Sequence, residues 1–109
     1  MDPREERLVK NEVLFRSVNE RIEDAAESFD LDAHVFGFIC ECSNVDCNLR
    51  LSLTIAQYEE VRSDPAQFLV APSHELPEIE QVVLVARDYQ IVRKEGVAAD
   101  LAEEADPRS

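Results

Sequence analysis

Apolar residues recur along the first thirty residues with the spacing of an amphipathic helix. Alternating steps of three and four residues connect the members of one stripe, which are Leu8, Asn11, Phe15, Val18, Ile22, Ala25 and Phe29. The residues between them are mainly charged, and Pro3 suits the first turn of a helix. The pattern predicts a long amphipathic helix over residues 1–29. Its stripe is expected either to pack on the rest of the chain or to pair with a second copy, as in a homodimeric coiled coil.

After residue 30 the pattern changes to that of short β-strands. HVFGFIC (34–40) is rich in β-branched and aromatic residues, and LRLSLT (49–54) alternates between apolar and polar positions. The polar segment between these two runs contains Ser, Asn and Asp, which favour turns. The two runs therefore predict a β-hairpin.

The second half of the chain predicts one short helix and three further strands. Thr54 is a suitable N-cap for a helix over IAQYEEVRSD (55–64), which places Tyr58 and Val61 on its inner face. The strand candidates are FLVAP (68–72), EQVVLVARD (80–88) and YQIVRK (89–94). The tail, VAADLAEEADPRS (97–109), is acidic and is expected to be frayed.

These elements predict an α+β fold, in which a long N-terminal helix lies beside a small, mostly antiparallel sheet. A length of 109 residues is typical of a single domain. We divide that domain into the helix (1–29), an α+β core (34–95) and the acidic tail (97–109).

The charge of the chain narrows its range of partners. Asp and Glu number 24 against 11 Lys and Arg, a formal net charge of -13. Such a field repels nucleic acid and anionic lipid, and the basic residues form no cluster that could follow a phosphate backbone. The sequence also lacks an apolar run of the length needed for a signal peptide or a membrane span. We expect a cytoplasmic protein that binds neither nucleic acid nor membrane.

The three cysteines lie within eight positions, at Cys40, Cys42 and Cys47, in the loop of the predicted hairpin. A structural disulfide is unusual in the cytoplasm, and three thiols cannot all pair within one chain. Buried, reduced thiols are one interpretation, but the residues around them are polar. Clustered cysteines in a polar loop favour a metal site at the tip of the hairpin.

A tetrahedral zinc site needs a fourth ligand, and the chain has two histidines. His34 begins the strand that ends at Cys40, so it would lie roughly 20 Å away along an extended chain. His74 lies in the loop PSHELP and could reach the hairpin tip. The predicted site is therefore Cys40, Cys42, Cys47 and His74, with Zn²⁺ as the metal and iron as the alternative.

Four protein ligands would leave no open coordination position, which is typical of a structural zinc site. The sequence offers no Ser-His-Asp set and no glycine-rich phosphate loop, so we do not expect an enzyme. Two functions remain open. One is a protein-interaction or regulatory module that contacts a protein partner through the N-terminal helix. The other is a redox switch in which oxidation of the cysteines releases zinc.

Several segments resemble a family of small uncharacterised bacterial proteins of actinobacterial type. The segments are NEVLFRSVNERIE (11–23), FICECSNVDC (38–47), LTIAQYEEVRSDPAQFLVAPSHELPEIEQVV (53–83) and YQIVRKEG (89–96). The resemblance covers nearly the whole chain, and it implies a self-standing small protein in which the three cysteines and His74 belong to the family pattern. That pattern often carries Gly where Ser73 stands.

Overall fold

The long N-terminal helix is followed by strands and two shorter helices in a computed structural model that describes residues 2–28 and 34–108. The elements in chain order are α1 (Pro3–Ser28), β1 (Val35–Ile39), β2 (Arg50–Thr54), α2 (Ile55–Val61), β3 (Gln67–Val70), β4 (Glu80–Val85), β5 (Gln90–Lys94) and α3 (Gly96–Glu104). The predicted α+β class and the long N-terminal helix are confirmed. Met1 and Phe29, the predicted limits of the helix, lie outside the described residues.

The strands form two antiparallel sheets. β1 pairs with β2 with Val35 opposite Thr54 and Ile39 opposite Arg50, so the predicted hairpin is confirmed. The other three strands form a second sheet in the order β3-β5-β4. The expected single small sheet is therefore two sheets, and α2 connects the first to the second along the chain. The cysteine loop connects β1 to β2.

The cap predicted for α2 is present. The Thr54 side chain accepts a hydrogen bond from the Gln57 backbone amide, and the Gln57 side chain accepts one from the Thr54 backbone amide. This reciprocal pair is a capping box. Tyr58 and Val61 are buried, as predicted, and the helix ends at Val61, before the predicted limit at Asp64.

The prediction of which face of α1 is buried is wrong by one residue. The fully buried positions repeat with the same spacing as the predicted stripe and are Val9, Glu12, Arg16, Asn19, Glu23 and Ala26. In the predicted stripe, by contrast, Val18 and Ala25 are exposed and Phe15 is half-buried. Each of the buried polar side chains has specific partners, which offset part of the cost of removing it from water.

Arg16 illustrates these partners. Its guanidinium donates to the Pro65 carbonyl oxygen at 2.6 Å and to the Ala102 carbonyl oxygen at 2.9 Å, and it lies 4.5 Å from the centre of the Phe68 ring. Ala102 is in the last turn of α3, where carbonyl groups lack partners within the helix. Arg16 therefore fastens α1 both to α3 and to the segment before β3.

A second buried group of charges lies nearer the start of α1. The Lys94 ammonium donates to the carboxylates of Glu12 and Glu80, and all three side chains are buried. Burial raises the pKa of Glu12 well above its ordinary value, and the positive charge of Lys94 opposes that rise. This ion triad connects α1 to the second sheet.

The expectation of a frayed tail is wrong. Residues 96–104 form α3, and its buried residues are the small Ala98, Ala99 and Ala102. Alanine has the highest helix propensity and loses no side-chain entropy, so an acidic, alanine-rich segment can still pack as a helix. Beyond α3, Arg108 donates to Glu20, Glu23 and Glu59 and ties the end of the chain to α1 and α2.

Among the described residues, no helix combines the length and the apolar content that a membrane span requires.

Candidate metal centre

The structure brings the four predicted ligands together. One ligand atom from each of Cys40, Cys42, Cys47 and His74 lies within 4.8 Å of the others. His74 Nδ1 is 3.6 Å from the Cys40 sulfur and 3.7 Å from the Cys47 sulfur. For a tetrahedral zinc ion with ordinary bond lengths, a sulfur and a nitrogen ligand are about 3.6 Å apart. The spacing therefore fits four ligands of one ion, and no disulfide links the thiols.

The hairpin and its turn position the cysteines. The Cys40 amide donates to the Leu49 carbonyl oxygen at 3.1 Å, which extends the β1–β2 pairing to the first ligand. At the tip, the Asn44 side chain accepts from the Asp46 amide at 2.9 Å, and the Asn44 carbonyl oxygen accepts from the Cys47 amide at 3.0 Å. This turn brings Cys47 back towards Cys40. The two cysteines of a Cys-x-Cys pair point to the same side of an extended segment, and the chain must bend before further ligands can reach the same ion. The loop that follows the pair supplies that bend.

Glu41, between the first two ligands, is completely buried. Its Oε1 accepts from the Leu69 amide at 2.9 Å, and its own amide donates to the Leu69 carbonyl oxygen at 2.6 Å. Its Oε2 accepts from Asn19 Nδ2 at 2.8 Å and from the Tyr58 hydroxyl at 2.6 Å. Burial raises the pKa of Glu41, and the hydrogen bonds from Asn19, Tyr58 and Leu69 oppose that rise.

The sequence predicts that the residues around the cysteines belong to a polar loop. For Glu41 that prediction is wrong, because its side chain is buried. In an extended segment, side chains alternate between opposite sides, so a residue between two ligands points away from the ion. This alternation was the signal that could have placed Glu41 in the core. The carboxylate fastens the middle of the Cys-x-Cys segment to α1, α2 and β3.

Asn19 holds the same segment from the side of α1. Its Nδ2 donates to the Ile39 carbonyl oxygen and its Oδ1 accepts from the Ile39 amide, both at 2.8 Å. The side-chain amide thus pairs with the edge of β1 as a neighbouring strand would. About two turns closer to the start of α1, Asn11 Nδ2 donates to the Ser43 carbonyl oxygen at 2.9 Å. Helix α1 therefore contacts the hairpin tip directly.

A tight turn after β3 delivers His74. The His74 amide donates to the Ala71 carbonyl oxygen at 3.0 Å, and the Ala71 amide donates to the Cys40 sulfur at 3.2 Å. An amide directed at a sulfur stabilises its thiolate form. Cys40 and Cys42 are buried, while Cys47 and His74 are half-buried. The site therefore lies at the edge of the core with one side towards solvent.

The two buried thiols differ in acidity. The interaction between their two sulfur atoms raises the pKa of Cys40 and lowers the pKa of Cys42 to about 5, and burial reinforces the first shift and opposes the second. Thiolate is the form of cysteine that binds metal.

Ser73 has a φ of 72°, in the left-handed region that favours glycine. Replacing Ser73 with Gly should relieve this strain and raise the free energy of unfolding by up to about 1 kcal/mol, because the gain exceeds the greater freedom of Gly in the unfolded chain. Urea denaturation with metal present is the measurement. The matched control, Ser52→Gly in the middle of β2, should instead lower stability by about 0.5–1 kcal/mol. A loss of stability in both variants would contradict the prediction.

Comparison of the chain with protein-family models, with curated proteins and with solved structures finds no match. The resemblance to small bacterial proteins stays an expectation, of which the structure bears out the grouping of three cysteines and one histidine. The functional conclusion therefore depends on the chemistry of this site.

Proposed function

We propose that the protein binds one zinc ion through Cys40, Cys42, Cys47 and His74 and uses it as a structural element. The observation that supports the proposal is the convergence of the three sulfurs and the His74 imidazole on one point. Zinc favours thiolate and imidazole ligands in a tetrahedral arrangement. Four protein ligands complete that arrangement, so the ion has no position for a substrate.

The bound ion would connect two parts of the chain. Cys40, Cys42 and Cys47 belong to the hairpin, and His74 belongs to the loop that follows β3. The hydrogen bonds of Cys40 and Glu41 hold the start of the cysteine loop, whereas Asn44, Val45 and Asp46 in its turn are exposed. The ion supplies the bonds between the hairpin and the His74 loop, as in small domains whose folding depends on zinc.

The test is elemental analysis and native mass spectrometry of the purified protein. We expect about one zinc per chain, lost on treatment with a strong chelator. Iron in place of zinc would revise the identity of the metal. A protein without metal, whose three thiols all react freely with a thiol reagent, would refute the site.

We further propose that the protein acts as an interaction module and not as an enzyme. The side chains of Leu14 and Val18 are one helical turn apart on α1 and are 56% and 37% exposed. They offer a small apolar contact on a chain whose net charge is -13, which favours a partner with a basic surface. Ile22, which also lies on the predicted stripe, packs against the core and so does not belong to this contact.

Substituting Val18→Glu should abolish binding of the partner while leaving the fold intact, because Val18 lies on the exposed side of α1. The measurement is a pull-down with metal-loaded protein, with bound proteins identified by mass spectrometry and light scattering used to detect a homodimer. Val97→Glu is the matched control, because Val97 is an exposed valine on α3. A partner retained equally by both variants, or tight salt-sensitive binding to DNA, would count against this role.

The redox switch is the second candidate, and the partial exposure of Cys47 favours it, since an oxidant would reach this sulfur before the two buried ones. Hydrogen peroxide would take two electrons from two thiolates and, with two protons from solvent, would form one disulfide and two water molecules. Zinc release at micromolar peroxide, reversed by a thiol reductant and added zinc, would support the switch. Retention of zinc at such concentrations would exclude the redox switch, and the structural role would be the one that remains.

A further inference from the structure

A second group of potential ligands lies at the opposite end of α1 from the Asp2 terminus. Carboxylates of Glu20, Glu23, Asp24 and Glu27 on α1 and of Glu59 on α2 line a cleft of about 380 Å³, which Arg108 borders. One oxygen from each of Glu23, Glu27 and Glu59 lies within 4.8 Å of the others. Two oxygens bound to one calcium ion at ordinary distances can be at most about 5 Å apart. The three carboxylates could therefore share one ion without a change in backbone.

Acidic clusters are common on protein surfaces, but this one contains a buried and unsatisfied carboxylate. Glu23 is only 3% exposed, and its Oε2 has no hydrogen-bond partner among the described residues. Its other oxygen accepts from Arg108 at 2.7 Å. A buried carboxylate oxygen without a partner, in a side chain that lies beside two other carboxylates, is costly unless a cation or a proton accompanies it.

The charges of the cleft do not balance. Arg108 donates to Glu20 and Glu59 as well as to Glu23, so one positive charge serves three carboxylates. Arg62 also contacts Glu20, but it shares its charge with Asp106.

We propose that Glu23, Glu27 and Glu59 bind a hard divalent cation of the calcium type, in a site separate from the cysteine cluster. Glu23 and Glu27 are one helical turn apart and so present their carboxylates from the same side of α1. Glu59 approaches from α2, and water would complete the coordination shell. The ion would link two helices that Arg108 already bridges. Carboxylate and water oxygens are the ligands that suit calcium, magnesium and manganese.

The test is calorimetric titration of the zinc-loaded, full-length protein with Ca²⁺. We expect one saturable site with a Kd below about 1 mM. Glu27→Gln should weaken binding at least about tenfold, since losing a ligand costs no less than losing an outer-shell partner. Asp100→Asn, an exposed carboxylate of α3, removes the same charge away from the cleft and should leave the Kd unchanged.

A second variant acts in the opposite direction, so that misfolding cannot imitate the result. Arg108→Gln removes the positive charge that competes for Glu23 and Glu59, and it should tighten Ca²⁺ binding severalfold. The absence of saturable binding up to several millimolar Ca²⁺ would overturn the proposal. So would a Kd that Glu27→Gln and Asp100→Asn change equally, since that result indicates diffuse attraction to an acidic surface. Calcium does not favour thiolate ligands, so these outcomes do not depend on the zinc site.

Discussion

Replacing Cys42 with Ser is expected to abolish stoichiometric zinc binding and to unfold the hairpin tip. A serine hydroxyl is a poor zinc ligand, and Cys42 is one of only four candidate ligand residues. Structural zinc sites in small peptides contribute about 10–16 kcal/mol at neutral pH, so the loss of one ligand removes a large share of the local stability. Metal content and hydrogen exchange of the purified variant are the measurements.

The pattern of exchange should be uneven. Residues 38–50 and the loop that carries His74 should lose protection, whereas α1 should keep most of it, because Arg16 and the Lys94 triad do not involve the ion. The control is Ser43→Ala, next to the ligand, where only the backbone carbonyl contacts Asn11. A Cys42→Ser protein that retains one zinc, or one whose protection falls equally everywhere, would contradict the assignment.

Replacing Lys94 with Met should lower the free energy of unfolding by about 3–5 kcal/mol, the usual cost of breaking a buried ion pair by removing one partner. The substitution preserves most of the side-chain volume and leaves the carboxylates of Glu12 and Glu80 buried without their cation. Urea denaturation at pH 7 measures the change. The control is Lys10→Met, because Lys10 pairs with Glu6 at the surface and such pairs contribute about 1 kcal/mol or less.

Combining Lys94→Met with Glu12→Gln shows how much of the lost free energy of unfolding comes from the unpaired carboxylate of Glu12 and how much from altered packing. Glu12 has a pKa well above its ordinary value because of its burial, so removing its charge should restore part of the stability. If the double variant is no more stable than Lys94→Met alone, the loss would come from packing around Phe68, whose ring lies 5.2 Å from the Lys94 nitrogen.

The cysteine site was largely predictable from the sequence, whereas the buried face of α1 was not. Three clustered thiols and only two histidines left few possible ligand sets. By contrast, hydrophobic periodicity assumes that charged residues face water. Arg16 and Asn19 break that assumption, because their partners, such as the Ala102 carbonyl and the edge of β1, are distant in sequence and exist only in the folded chain.

Contacts between residues that are distant in sequence also explain why the predictions for the C-terminal tail and for Glu41 were wrong. The acidic side chains of α3 suggested that the segment faces solvent and frays, but its alanines and Leu101 pack on the protein. Strand alternation could have shown that Glu41 faces away from the ligands. No local pattern shows that Tyr58 and Asn19 hydrogen-bond the Glu41 carboxylate in the core, since each of them belongs to a different helix. Partners of buried polar groups are a tertiary property.

The hydrogen bonds of Glu41 define a sequence pattern that includes more residues than the four metal ligands. Asn19 precedes Glu41 by 22 positions and Tyr58 follows it by 17, and each donates to the same carboxylate oxygen. Glutamine could not replace Glu41 without directing an amide donor at one of these donors or at the Leu69 amide. Homologues should therefore vary Glu41, Asn19 and Tyr58 together, so covariation of these three residues would distinguish true relatives from chains that share only the metal ligands.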